Sequence, residues 1–167
     1  MLAFEGNRGE GVALARACGA QMEVDHPNAA FWMPVSIHPG RDGRPRAYPH
    51  IVLDRAKPGV IAVGADGERF TNEARSYHDF VLAMKERERA QGSPFRCFLL
   101  CDARALRKYG LGAVRPRAPS LARYLRSGYL RSAPDWPALA AALSVPSAAL
   151  GRVIGRFNGE GPRGGGG

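Results

Sequence analysis

Lysine is nearly missing from this chain of 167 residues. It occurs only at Lys57, Lys85 and Lys108, so arginine carries almost all of the positive charge behind a formal net charge of +9. The arginines are spread along the sequence, whereas a basic nucleic-acid face needs clustered cations, usually with aromatics interleaved on a recognised module. The densest stretch, Lys108 to Arg131, combines Arg115, Arg117, Arg123, Arg126 and Arg131 with Tyr109, Tyr124 and Tyr129. A solvated or partner-facing surface accounts for it, and nucleic acid is not expected as a partner. Cysteine is also scarce. Cys18, Cys97 and Cys101 include no CxxC pair and no matching histidine spacing, which argues against a disulfide framework or a zinc site. They read as buried, reduced thiols, with Cys97 and Cys101 on one face of a strand. No stretch approaches the ~18 consecutive apolar residues that a membrane span requires. The start, Met1 to Arg8, has an acidic residue and no apolar run, so no secretory leader is expected and the cytoplasm is the default address.

Motifs that announce a chemistry are lacking too. Gly6 to Gly11 is rich in glycine but follows no strand, and the Gly164–Gly167 tail precedes no helix, so neither can cradle a pyrophosphate as a Rossmann turn does. There is no P-loop, no GxSxG and no metal-ligand spacing, so no metal site is expected. Spacing alone therefore stops at an α+β domain: a small antiparallel sheet with helices packed beside it.

The apolar pattern supplies the elements. Val12 to Ala20 predicts a short helix, apolar almost all round and so packed on both sides. Phe31–Val35 and Ile51–Leu53 read as short strands, with a Pro- and Gly-rich loop from Pro39 to Pro45 between them. Gly59–Val63 is a strand and Gly64-Ala65-Asp66-Gly67 a tight turn into Glu68–Phe70, a good hairpin signal. Tyr77, Phe80, Val81 and Met84 fall at i, i+3, i+4 and i+7, one face of a helix running to about Ala90. Phe95–Leu100 is a strand and Ala103–Tyr109 a short helix. Asp135 is placed to cap Trp136–Leu143, and Ser144 or Ser147 a last helix through Leu150, Val153, Ile154 and Phe157. Residues 159–167 form a Gly-rich tail expected to be disordered.

One segment is more specific than composition. The run from Asp54 to Glu73, with Arg55, the apolar strand Val60–Val63 and then Gly67-Glu68-Arg69-Phe70-Thr71-Asn72-Glu73, resembles a signature of the flavoprotein superfamily of fumarate reductases, succinate dehydrogenase flavoprotein subunits and 3-ketosteroid Δ1-dehydrogenases. Gly9-Glu10-Gly11 is similar to the Gly-Asp-Gly start of a helix leading out of the flavin domain. Leu150 to Asn158 is similar to a helix ending in Tyr/Phe-Asn near the end of the substrate cap. The resemblance implies residues 1–20 as a remnant of the flavin-binding domain and 21–158 as a substrate-capping domain. FAD is then held only together with flavin-binding segments from outside this sequence, and the isolated chain is expected to be inactive.

The position after the motif separates the branches. Fumarate reductases and succinate dehydrogenases carry a proton-shuttling arginine there and a glutamate three residues before the strand's arginine. This chain has Tyr77 and Val52 in those places. Tyr after Asn-Glu is similar to the ketosteroid enzymes, which implies Tyr77 as a catalytic base and a small apolar ketone, steroid-like, dehydrogenated beside its carbonyl. Tyr77 also reads as the first core residue of its helix. Glu10, where relatives have an aspartate at the flavin, is either a cofactor contact or an acid complementing a helix dipole. Trp32 and Arg55 are candidates for the substrate pocket, with core packing the commoner fate of such a tryptophan. His38, His50 and His78 match no histidine of the family. The alternatives are an inactive or partner-binding cap, or a piece of a fumarate reductase-like flavoprotein. In the motif itself, Gly67 is expected to take a positive φ, Arg69 and Glu73 to pair or bond backbone, and Phe70 to anchor the loop.

Overall fold

The computed structural model describes residues 6–159 except 24, 27, 29 and 41, and it leaves out the side chain of Val52. The first five residues and most of the expected tail, 160–167, lie outside the described residues. The chain divides into two compact units, Met1–Phe31 and Trp32–Gly167.

In the first unit, α1 spans Glu10–Ala17. It was expected to be packed on both sides, yet none of its residues is buried, and Leu14 is 69% exposed. Small apolar side chains in an eight-residue helix do not by themselves demand a cover, since much of any folded surface is apolar.

The second unit begins with a hairpin. Strands β1 (Val35–Pro39) and β2 (Pro45–Pro49) pair antiparallel, from Val35 opposite Pro49 to Pro39 opposite Pro45. The expected strand at 31–35 thus starts only at its last residue. Pro34 has no N–H to give a ladder, and its carbonyl instead accepts from the amide of His50 at 2.8 Å. The expected strand at 51–53 is a helical turn, α2 (Val52–Arg55). Side-chain contacts of Asp54 and Arg55 back to His50 impose that turn, a tertiary override of local β preference.

Strands β3 (Val60–Gly64) and β4 (Cys97–Cys101) form a second antiparallel pair, from Val60 opposite Cys101 to Gly64 opposite Cys97. All five residues of β3 are buried. The remaining helices are α3 (Tyr77–Gln91), α4 (Ala103–Tyr109), α5 (Ala122–Arg126), α6 (Trp136–Leu143) and α7 (Ser147–Gly159). Ser76, Asp102 and Asp135 cap α3, α4 and α6 by accepting the amides of Asp79, Ala105 and Ala138. Helix α5 was not anticipated; a five-residue helix without a side-chain cap has no pattern to read. The architecture is α+β, with the antiparallel structure split between two small sheets. No described helix is long and apolar enough to cross a membrane.

The main core packs α6 and α7 on β3 and β4: Ile61, Val63, Ala140, Val145, Leu150 and Val153, flanked by Phe98, Leu100 and Phe157. The turn after β3 meets this core at Gly67. Its φ is +76°, and an added Cβ would lie 3.1 Å from Ala149 Cβ and 3.2 Å from the Leu150 nitrogen. Gly67→Ala is therefore expected to cost about 1–3 kcal/mol, from backbone strain and contact with the start of α7. Denaturant unfolding checks this, through a lower midpoint at unchanged slope.

The thiols differ from the expectation of uniform burial. Cys18 is exposed and Cys97 and Cys101 are half-buried. Burial pushes both β4 thiols up to about 11, with Asp102 adding to the effect at Cys101. Since the thiolate is the reactive form, a disulfide reagent at pH 8 is expected to label Cys18 quickly and the two strand cysteines slowly. Equal rates at all three would contradict this.

Candidate functional site

The segment between β3 and α3 is tied down at nearly every residue. Arg69 grips Glu73 with two nitrogens, Nε to Oε1 at 2.9 Å and an Nη to Oε2 at 2.5 Å. Glu73, itself buried, also accepts the Ala62 amide at 2.7 Å, so one carboxylate fastens the loop to the edge of β3. The sequence pattern anticipated this pairing and the positive φ of Gly67. Phe70 meets Phe80 and Phe95 edge-on, with ring centres 5.2 and 4.9 Å apart.

Arg55 binds the same loop from the other side. It is fully buried. Its nitrogens donate to the carbonyls of His50 at 3.1 Å, Glu73 at 2.7 Å and Arg75 at 3.2 Å, and its guanidinium lies 4.5 Å from the centre of the Phe80 ring. Burial pulls its pKa below the ordinary arginine value, opposed by the Asp54 and Glu73 carboxylates. Arg55, read from sequence as a substrate-pocket candidate, gives its donors to the protein's own backbone.

Tyr77 follows two residues after the last carbonyl that Arg55 holds. It is the first residue of α3, directly after the Ser76 cap, and it is half-buried, so it is not sealed in the interior. Trp32 lies along the same helix. Its amide donates to His78 Nδ1 at 3.2 Å, and the Lys85 ammonium sits 3.4 Å from the centre of its ring. The structure thus brings Tyr77, the Trp32 backbone and the Arg55 clamp to the N-terminal end of α3, with the Trp32 ring further along the helix at Lys85. Glu10 belongs to the other unit. It opens α1, is exposed, and accepts the Arg8 amide at 3.2 Å; no side chain caps that helix. The Glu10 carboxylate only accepts hydrogen bonds, so it suits the hydroxyl groups of a nucleotide and not its phosphates.

A second cluster was not anticipated. Its members lie far apart in sequence, and only the i, i+4 spacing of His50 and Asp54 is a local signal. His50 Nδ1 lies 2.5 Å from Asp54 Oδ2, and its Nε2 lies 2.7 Å from Ser36 Oγ. Ser36 Oγ is 2.7 Å from the Tyr129 hydroxyl, which accepts the Ala113 amide at 3.0 Å. With a neutral imidazole the donors run one way: Ala113 to Tyr129, Tyr129 to Ser36, Ser36 to His50, His50 to Asp54. This chain joins β1, α2 and the loops at 111–116 and 127–130.

Comparison with known proteins agrees with the motif. A family described as "FAD binding domain" matches residues 1–163. The chain belongs to that family of FAD-binding flavoproteins, whose cofactor is FAD. It is 32% identical over 155 residues to a 4-oxocyclohex-2-ene-1-carboxylate 5-dehydrogenase of Sinomonas cyclohexanicum, covering 92% of this chain and 26% of that protein. It is 28% identical over 157 residues to a 3-oxosteroid 1-dehydrogenase of Mycobacterium tuberculosis, covering 91% and 26%. Among solved structures it is similar to a 3-ketosteroid Δ1-dehydrogenase from Sterolibacterium denitrificans in complex with 1,4-androstadiene-3,17-dione. That match has a TM-score of 0.65 and 25% identity, and it covers 93% of this chain and 27% of that one. The chain spans about a quarter of the length of these relatives.

Proposed function

We propose that residues 21–158 form the substrate-capping part of an FAD-dependent dehydrogenase, that residues 1–20 adjoin its flavin-binding part, and that Tyr77 is the base. The observation that carries this reading is the placement of Tyr77: half-buried, at the head of α3, on a loop held by Arg55, Arg69 and Glu73. A base must be held in position before its basicity matters. The substrate is a ring ketone. The names of two relatives, a 4-oxo 5-dehydrogenase and a 3-oxo 1-dehydrogenase, share a ring carbonyl with unsaturation introduced near it.

The FAD, when bound, supplies the two-electron acceptor at N5. Tyr77, as its phenolate, takes the proton from the carbon α to the carbonyl and becomes the neutral phenol. Glu10 with the first turn of α1 holds part of the cofactor, and Trp32, its ring covered by the Lys85 ammonium, borders the substrate side of α3. The test uses the whole flavoprotein without oxygen. A cyclic ketone is expected to bleach the oxidised flavin; bleaching by saturated dicarboxylates and not by ring ketones would overturn the reading in favour of succinate-type chemistry.

A further inference from the structure

Beside the His50 cluster lies a cavity of about 430 Å³, lined among others by His38, Tyr48, Asp54, Tyr109, Arg115 and Arg123. Its size is at the lower end of small-molecule sites, ~300–1,000 Å³. We infer that this cavity binds a small ring carboxylate, with Arg115 and Arg123 receiving the carboxylate and Tyr48 and Tyr109 flanking the ring.

The charge balance of the lining carries this. Neither arginine forms an ion pair among the described residues. Arg123 is held in place by stacking 4.3 Å from the centre of the Tyr124 ring and by donating to the Tyr124 hydroxyl. Asp54 is the one acidic residue in the lining, and both its oxygens are engaged, Oδ2 by His50 and Oδ1 by the Arg55 amide at 3.0 Å. Two exposed guanidinium groups thus line the cavity with no free carboxylate beside them, and planar guanidinium groups suit a carboxylate. Burial, reinforced by Asp54 and Tyr129, raises the Tyr48 pKa and keeps its phenol protonated as a further donor.

The lining at 111–114 is held by hydrogen bonds. Leu111 and Val114 exchange backbone hydrogen bonds at 2.9 and 3.0 Å, and the Ala113 carbonyl accepts from the Tyr124 hydroxyl at 2.7 Å. Gly112 has φ +56°, and a Cβ there would come within 2.3 Å of the Tyr129 oxygen and 3.0 Å of His50 Cε1. The Asp54–His50–Ser36–Tyr129 chain thus fixes the loop before any ligand arrives, and preorganisation of this kind lowers the cost of binding.

Titration calorimetry on the full chain tests the inference, with cyclohexanecarboxylate, cyclohexanemethanol and inorganic phosphate as probes. Saturable binding of the carboxylate is expected, weakened roughly tenfold or more in each of Arg115→Ala and Arg123→Ala, and Arg115→Ala, whose guanidinium makes no ion pair among the described residues, keeps its melting temperature. Equal binding of the neutral alcohol would overturn it, as would equal binding of phosphate or unaltered affinity in both variants. No turnover is read, so the result is independent of the role proposed for Tyr77.

Discussion

Arg55→Ala is expected to destabilise the second unit by about 3–5 kcal/mol, the range for removing one member of a buried charged network. The substitution strips three carbonyls, of His50, Glu73 and Arg75, of their donor at once. Each buried acceptor left unsatisfied costs about 1–3 kcal/mol, offset wherever water reaches it. It also opens a void against Phe80, 1% exposed and stacked on the guanidinium. Asp54 and Glu73 lose a neighbouring cation while remaining buried. Arg55→Lys is expected to recover little, because one ammonium cannot serve three carbonyls spread around a planar fork. Denaturant midpoints measure both; a loss below about 1 kcal/mol for alanine would show that the clamp is ornamental, since surface substitutions fall in that range.

Tyr77→Phe in the intact flavoprotein is expected to lower turnover about 10²–10⁴-fold, the usual contribution of a positioned base. The change removes one oxygen and leaves the ring, so the packing at the head of α3 and the Ser76 cap persist. Flavin content and thermal stability should therefore stay as they are. The effect should fall on kcat more than on KM, because a base acts on the proton in transit and contributes little to holding the substrate. Wild-type turnover would remove Tyr77 from the chemistry.

Sequence reading reached what local pattern encodes. Helix α6 was legible because the Asp135 cap and apolar spacing coincide, and α3 because its apolar residues recur on one face; the Asp102 cap of α4 was not read. The Gly67–Glu73 motif gave the Arg69–Glu73 pair because both partners lie four residues apart. It could not show that Glu73 also takes the Ala62 amide, or that Arg55 reaches eighteen and twenty residues forward to close the loop. The β1–β2 hairpin was missed because prolines bound its strands and a Pro- and Gly-rich stretch reads as loop. The turn at α2 is set by buried partners of Asp54 and Arg55, information absent from a four-residue window. The Ser36–Tyr129 contact spans ninety-three residues, and no spacing rule connects them.

The central claim is positional: Tyr77 faces the carbon from which the proton leaves. A crystal structure of the complete flavoprotein holding FAD and a cyclic ketone measures this as one distance. The account predicts the Tyr77 hydroxyl oxygen about 3–3.5 Å from the carbon next to the carbonyl, the separation of a near-attack arrangement. A phenol turned away from the bound ketone, with another side chain at that carbon, would contradict it.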